Sequence, residues 1–244
     1  MKRYIFILLT SIGMNQTITA QTSKITYEEQ ANIENQLKNV TDPATRERVS
    51  KYLSQVKTFT LYYKDGISLY NEQNANDTSD KDSGLSESSS KFKTVNIGKK
   101  SGGIYKNQKT NEYLQEADLL GKAFLVSDKL DKISWKLINE TKKIGEFNCK
   151  KATAVVNGEN VTAWYAPSLP INDGPKDYWG LPGLIIDLTT DTKTYHAIKV
   201  ASIAQFDFEK PSKGQKISKE NYIKDRNEKV DQLKRGMGNV LNQN

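Results

Sequence analysis

Cys149 and His196 are the two side chains whose chemistry could support nucleophilic catalysis. The chain has one cysteine and one histidine, and a thiol activated by an imidazole base is an established catalytic pair. Lys150 and Lys151 follow the thiol, and adjacent positive charge lowers the pKa of a cysteine. No third group that would orient the imidazole can be identified. The alternative interpretation of Cys149 is a small buried residue with a weak hydrogen-bond donor.

The same two residues do not predict a metal site. Structural zinc takes four cysteine or histidine ligands, whereas this chain has two such residues in all. We therefore expect neither a metal nor a cofactor. His196 lies in the run Thr194–Ile198, where a strand histidine that contacts a neighbouring side chain is the simpler expectation.

Aromatic side chains give stronger evidence for a binding site. Together with one carboxylate they form our predicted ligand-binding set, which is Trp135, Trp164, Tyr165, Tyr178, Trp179 and Asp187. Pockets for apolar ligands are lined by aromatic residues with few polar groups. Packing of these residues in the core and rim of a sheet is the alternative. Asp187 stands in an apolar run, and if buried it needs a donor such as Lys151 or His196.

A buried strand is predicted directly after the last of these aromatic residues. Leu184–Leu188 is short, apolar and rich in β-branched residues, which is typical of a strand covered on both faces. Pro182 and Gly183 precede it, and their backbone preferences predict a type II turn. We assign a structural role to the whole motif, which is Gly180, Leu181, Pro182, Gly183, Leu184 and Ile185.

Strand patterns joined by hairpin signals dominate the rest of the chain. Asp65-Gly66 and Asn157–Asn160 each stand between two strand runs, as in β-hairpins. Ile133–Leu137 alternates as well, which predicts a strand with Ile133, Trp135 and Leu137 on one face.

Two helices are predicted. Asp42-Pro43 has the N-cap and the first-turn proline of a helix start, and Ser218 precedes a second helical pattern at the C-terminus. The first helix is amphipathic, with an apolar side made of Val49, Tyr52, Leu53 and Val56.

These elements predict a mainly β, α+β fold. We expect a large curved antiparallel sheet or open half-barrel with an amphipathic helix near the N-terminus and a C-terminal helix. To bury one face, such a sheet can close into a barrel, fold into a sandwich or curl around a helix. The chain shows no alternation of strands and helices, so we expect no parallel sheet.

Residues 1–20 have the layout of a secretory signal peptide. Lys2 and Arg3 precede the apolar stretch Tyr4–Met14, and Ala20 ends a short segment suited to cleavage. Residues 21–244 would then form a single β-rich domain with a mobile polar loop at about 71–92. No cysteine follows the apolar stretch directly, and no later run is long enough for a transmembrane helix. We expect export to the periplasm or cell envelope without a lipid anchor.

Charge and cysteine content exclude some functions. The formal net charge is +7, but both signs are scattered and no basic block occurs, so nucleic acid is not an expected partner. A single cysteine excludes an intramolecular disulfide. An ordinary hydrophobic core must therefore stabilise the fold, and the chain is long enough to build one.

Tyr178–Ile185 resembles the signature of the GLPGLI family, exported bacterial proteins without an established activity. Earlier blocks resemble the family pattern too, namely Ile133–Leu137, Glu140–Gly145, Cys149–Thr153, Ala163–Pro167, Pro170-Ile171 and Gly174-Pro175. Glu146-Phe147 departs from it, since members often carry a glycine and an aromatic residue there. The resemblance implies no catalytic residue. The expected fold is similar, by pattern, to lipoprotein-carrier half-barrels of the bacterial envelope.

The sequence thus predicts an exported, non-enzymatic binding or carrier module for an apolar ligand, a peptide or an envelope partner protein. An accessory subunit of an outer-membrane transport system is one alternative. A thiol-dependent enzyme that uses Cys149 and His196 is another.

Overall fold

The computed structural model describes residues 21–73 and 103–241. The predicted signal peptide lies outside these residues, as does most of the predicted loop at 71–92, although Asn71 and Glu72 belong to a strand. The described elements, in chain order, are β1 (Thr22–Ala31), α1 (Ile33–Gln36), α2 (Pro43–Leu53), β2 (Lys57–Lys64), β3 (Ile67–Glu72), β4 (Ile104–Asn107), β5 (Glu112–Leu119), β6 (Lys122–Asp128), β7 (Lys136–Ile144), β8 (Phe147–Val156), β9 (Glu159–Ala166), β10 (Leu184–Thr190), β11 (Lys193–Ile203), β12 (Gln215–Ile217) and α3 (Lys219–Leu241).

All twelve strands of the described chain form one sheet, which confirms the mainly β prediction. Their spatial order is β12-β6-β5-β4-β3-β2-β1-β11-β10-β9-β8-β7. The first and last strands in this order do not pair with each other, so the sheet is open. Neighbours pair antiparallel throughout, except that β12 runs parallel to β6. The expectation that no strands would pair in parallel is therefore wrong for this one short strand at the sheet edge.

The sheet is strongly curved. Strands β6 and β8 are nine steps apart in the strand order, a distance of about 43 Å in a flat sheet with ordinary strand spacing. Yet Val126 of β6 and Val156 of β8 line the same cleft. Curvature therefore brings the two ends of the sheet together around an inner face.

Both predicted hairpins are confirmed. Asp65 and Gly66 have φ of 51° and 82°, and Asn157 and Gly158 have φ of 52° and 83°. Two successive positive φ values are the signature of the type I′ turn that suits antiparallel strands. A third such turn joins β5 to β6 at Leu120-Gly121. It escaped prediction because leucine rarely adopts positive φ.

Strand β10 lies between β9 and β11, as the apolar run predicts. The prediction of a type II turn before β10 is wrong, however. Such a turn needs φ of about +80° at Gly183, but Gly183 has φ of 151°. The Leu184 N–H donates to the Leu169 carbonyl at 3.1 Å and not to the Leu181 carbonyl. Gly183 is required because a Cβ there would collide with the Ala166 carbonyl. The glycine thus permits a close backbone approach.

Residues 167–183, which we call the strap, connect β9 to β10 and cross the inner face. The strap is held by a fully buried ion pair between Lys106 of β4 and Asp173. The Lys106 ammonium also donates to the Lys176 carbonyl at 2.7 Å, and the Tyr63 hydroxyl donates to the Asn172 side chain at 3.0 Å. Side-chain and backbone contacts thus fix the strap across several strands.

The strap, and not helix α2, fills the concavity. Helix α2 begins as predicted, because the Asp42 carboxylate accepts a hydrogen bond from the Thr45 N–H at 2.8 Å. Its apolar side does not cover the sheet, since α2 has no buried residue and Tyr52 is 76% exposed. The expected option of a sheet that curls around this helix is therefore wrong. The C-terminal helix is confirmed, and its Tyr222 contacts Phe124 of β6 edge-on.

The predicted strand at Ile133–Leu137 is shifted. Strand β7 starts only at Lys136, and Leu137 is exposed. Trp135 stays outside the strand because its indole N–H donates to the Trp179 carbonyl of the strap at 2.9 Å. Ile133, Trp135 and Leu137 therefore do not form one strand face.

We expect Lys106→Met to destabilise the fold by about 3–5 kcal/mol, because it leaves the Asp173 carboxylate buried without its countercharge. Adding Asp173→Asn should restore part of this loss. Chemical denaturation measures both free energies of unfolding.

Lys57→Met is the matched control. It removes an exposed ion pair with Glu72, 3.4 Å long, which is worth about 0–1 kcal/mol. Equal losses in the two lysine variants would show that the buried pair does not hold the strap.

Candidate functional site

The structure divides the predicted ligand-binding set between the two faces of the sheet. Trp164 and Tyr165 are neighbours on β9, and successive strand residues point to opposite faces. Tyr165 packs in an inner cluster with Leu188 and Tyr195. Trp164 faces outward, in register with Asp187. The six residues therefore do not line one cavity.

A cleft of about 300 Å³ lies on the inner side, between the strap and α3. Its apolar lining is contributed by β4, β6, β8 and α3, and four tyrosines project into it. Tyr178 is the member of the predicted set that lines it. The tyrosines are Tyr113, Tyr178, Tyr195 and Tyr222.

The tyrosine hydroxyls of the cleft stay protonated at neutral pH. Burial raises the pKa of Tyr178 to about 12, and Glu159 and Asp177 add to the rise. Burial also raises the pKa values of Tyr113 and Tyr195 well above their usual range. Neutral hydroxyls donate and accept hydrogen bonds, so the cleft offers polar contacts within an aromatic wall.

Ion pairs fix the charged side chains at the cleft. The Lys219 ammonium lies 2.8 Å from the carboxylates of both Asp131 and Asp177. Lys176 lies 2.9 Å from Glu29, whose other oxygen contacts Lys193. Burial opposes ionisation of Glu29, but the two lysines outweigh it and lower the pKa of that carboxyl. Ion pairs therefore also hold the strap in place where it borders the cleft.

A second group of predicted residues lies on the outer face. Asp187 of β10 is in register with Trp164 of β9 and His196 of β11. The His196 Nδ1 lies 3.2 Å from the Asp187 carboxylate, and this contact raises the pKa of the imidazole. Asp187 is half-buried and has the histidine partner that its place in an apolar run required. Lys151, the other predicted donor, pairs with Glu140 at 3.0 Å.

Cys149 does not have the surroundings of a nucleophile. The side chain is buried, and its sulfur is 3.8 Å from the Phe147 carbonyl. Burial raises the pKa of the thiol, and the Asp187 carboxylate raises it further, against a smaller opposing effect of Lys142. A reactive cysteine needs the opposite shift.

Trp135 and Trp179 anchor one end of the strap. The Trp135 indole donates to the Trp179 carbonyl, and the Trp179 indole donates to the Asp131 carbonyl, each at 2.9 Å. Both indole donors are thus engaged by backbone. The motif residues Gly180 and Pro182 are exposed, whereas Leu181 and the strand that follows are buried.

A wider groove of about 550 Å³ lies near α1 and the β10–β11 turn. Its lining is made of amides, hydroxyls and charged groups, and several of them already bond to the turn. Asn32 and Asn35 donate to the carbonyls of Thr190 and Asp191, and Asn160 bonds to the Asp191 carboxylate. These contacts attach α1 to the sheet, so we regard the groove as structural.

The sequence did not single out three of the four cleft tyrosines. Tyr113, Tyr195 and Tyr222 lie on β5, β11 and α3, and only curvature brings them together. The sequence offered one signal that the predicted set does not share a cavity. Side chains alternate along β9, and this places Trp164 and Tyr165 on opposite faces of the sheet.

The described part of the chain contains neither a metal-ligand cluster nor a membrane-spanning helix. Residues 21–73 and 103–241 contain no group of three or more histidine, cysteine or acidic side chains placed to hold a metal ion. None of the helices in this part of the chain has the length and hydropathy of a membrane span.

A short stretch that includes the strap matches the model of an uncharacterised family. Residues 153–187 match the model of a family described as "Protein of unknown function (Porph_ging)". This agrees with the expected resemblance to a family of unknown function, although it does not confirm the name GLPGLI. The match covers the end of β8, all of β9, the strap and the start of β10. No curated protein matches the sequence.

Two crystal structures of PNGF-II have a similar fold. The structure in space group C2 superposes with a TM-score of 0.55 at 20% sequence identity, covering 84% of this chain and 32% of PNGF-II. The structure in P21 gives a TM-score of 0.54 at 19% identity, with 84% and 33% covered. The chain thus spans about a third of the length of PNGF-II. At this identity the similarity shows the fold alone.

We expect the pKa of His196 to lie above the 6.5 of a free histidine and to fall in Asp187→Asn. A pKa raised by folding stabilises the protein below the unfolded pKa, and this contribution is lost as pH rises through the folded value. NMR titration of the imidazole measures the shift. An unchanged pKa in Asp187→Asn would contradict the pairing.

Proposed function

We propose that the chain is an exported, non-enzymatic binding module that takes an apolar ligand with a polar end into the cleft between the strap and α3. One observation carries this proposal. Four tyrosines from β5, the strap, β11 and α3 converge on a cleft whose volume lies at the lower end of the range for ligand sites, about 300–1,000 Å³. Residues 1–20, with their signal-peptide layout, support export.

The chemistry of the lining supports an amphipathic ligand. Ile104, Val126 and Val156 provide apolar surface, and the tyrosine rings add flat faces against which a ligand ring can stack. Arg226 also lines the cleft and can contact a polar end, whereas Lys219 is already paired with Asp131 and Asp177. This is a more polar site than the hydrophobic, aromatic-edged concavity expected from the sequence, because the strap occupies much of that concavity.

The many contacts that hold the strap favour binding over catalysis. Its charged side chains pair with side chains of β1, β4 and α3, and the cleft presents neutral hydroxyls without an activated nucleophile. Binding sites gain affinity when their walls are ordered before the ligand arrives. A carrier with a preformed pocket fits these features.

The fluorescent probe N-phenyl-1-naphthylamine tests the cleft. We expect the full chain to bind it with an increase in fluorescence, and Tyr222→Ala to weaken binding about tenfold, which corresponds to about 1.4 kcal/mol. Tyr52→Ala is the matched control, since Tyr52 is exposed on α2. Thermal unfolding of both variants verifies that they are folded. Equal affinity of both variants and the parent chain would overturn the cleft as the binding site.

Alkylation of Cys149 by iodoacetamide distinguishes the thiol-enzyme alternative. We expect the folded chain to react at least about tenfold more slowly at pH 8 than the denatured chain, because the thiol is buried and its pKa is raised. Mass spectrometry measures the rates. Faster reaction in the folded chain would favour the enzyme that uses Cys149 and His196.

A further inference from the structure

Strands β10 and β11 are paired over only part of their length. Their register runs from Asp187 opposite His196 to Thr189 opposite Thr194 and extends no further. Strand β11 nevertheless continues to Ile203, and on its other side it pairs with β1 to the end. The two central strands therefore diverge beyond His196, and the sheet contains a split.

Two β-bulges lie where the split begins. Ile186 is the extra residue of β10 opposite β9, and Ile198 is the extra residue of β11 opposite β1. A bulge bends its strand and increases the local twist. Adjacent bulges in neighbouring strands give a physical reason for their separation.

The β10 side of the split is closed by other groups. The Ile185 N–H donates to the Asp173 carbonyl of the strap at 3.2 Å. The Ile185 carbonyl accepts a hydrogen bond from the Tyr27 hydroxyl at 2.5 Å. Strand β10 thus has replacement partners from the strap and from β1.

The β11 side has no such replacement within residues 21–73 and 103–241. Over residues 197–203 the strand pairs with β1 alone, and no hydrogen bond from a turn, a loop or a side chain of the described chain reaches this backbone from the split. Alternate N–H and C=O groups of a strand point to each side. Residues 197–203 therefore present an open strand edge inside the sheet.

An apolar crevice of about 370 Å³ adjoins this edge. It lies between the β7–β8 turn and β11, and both bulge residues line it. Ile198 is 54% exposed although it is a large aliphatic residue. The apolar lining is Ile144, Phe147, Ile186, Ala197, Ile198 and Val200.

We propose that this split is a binding site for an extended peptide segment of a partner protein, which adds to the edge of β11 and inserts an apolar side chain into the crevice. Strand addition supplies main-chain hydrogen bonds, and pockets for alternate side chains supply specificity. A free edge and an adjoining aliphatic pocket are the two parts that this mode requires. The site shares no lining residue with the tyrosine cleft, so it does not depend on the function proposed there.

Charges at the rim complete the description of the partner. Lys199 and Glu146 border the crevice on opposite sides, and neither forms an ion pair within the described part of the chain. An acidic residue of the peptide near Lys199 and a basic residue near Glu146 would complement them. The peptide class is therefore extended, with apolar residues at alternate positions and charged residues between them.

Hydrogen exchange of the full chain, followed by NMR, tests the site. The probes are acetylated hexapeptides in which valine, leucine or phenylalanine alternates with glutamate, threonine and lysine. In the free protein, alternate amides of residues 197–203 should exchange fast, and a bound probe should slow them. Slow exchange of all these amides without peptide would show that the edge is already covered. That result, or a lack of protection by every probe, overturns the proposal.

Backbone methylation of the probe distinguishes strand pairing from simple apolar contact. One of the two alternately N-methylated forms should lose binding, because only one set of amides faces β11. Equal binding by the two forms, strong or weak, overturns the proposal.

Ile198→Asp should weaken binding of the best probe about tenfold, since it places a charge in the crevice. Leu137→Asp is the matched control, because Leu137 is similarly exposed at 57% and lies elsewhere on β7. Equal effects of the two substitutions would contradict the assignment of the crevice.

Discussion

The buried ion pair between Lys106 and Asp173 is the interaction on which the inner architecture depends. Both side chains are fully buried, and removing two charges from water is costly unless each finds strong partners. Here the ammonium bonds to Asp173 and to strap carbonyls, and the Gly174 N–H donates to the same carboxylate at 2.7 Å. A network of this kind tolerates few other arrangements. It therefore specifies the path of the strap more than it adds stability.

Fixing the strap determines the shape of both proposed sites. Where the strap turns back toward β10 it carries Tyr178 and Asp177 to the wall of the tyrosine cleft. Further along the same sheet face, the Ile185 N–H donates a hydrogen bond to the Asp173 carbonyl of the strap. A carbonyl of a neighbouring strand would otherwise accept this bond. Strand β10 can then separate from β11. The cleft and the split are thus two consequences of one crossing segment.

Local sequence signals predicted the elements that depend on local chemistry. Asp65-Gly66, Asn157-Gly158 and Asp42-Pro43 act within a few residues, and all three turned out as expected. The strap could not be predicted in the same way, because Lys106 and Asp173 are 67 positions apart in sequence. Nothing in the short strand β4 marks its lysine as buried. Helix α2 formed as predicted, but its expected packing against the sheet did not. The reason is related: an apolar stripe shows which side of a helix can be buried, and not which element will cover it.

The family match covers the whole strap, β9 before it and the start of β10, whereas the motif covers only the end of the strap and the start of β10. Residues 153–187 join β9, the strap and the first half of β10, which are the segments that meet at Gly183. A Cβ at this position would collide with the Ala166 carbonyl, and one at Gly174 would lie 2.7 Å from Ile185. Both glycines let the strap lie flat against its neighbouring strands. The matched stretch therefore corresponds to a packing unit, a strap packed between two strands, whose geometry leaves residues 197–203 of β11 paired only with β1 among the residues that the structure describes.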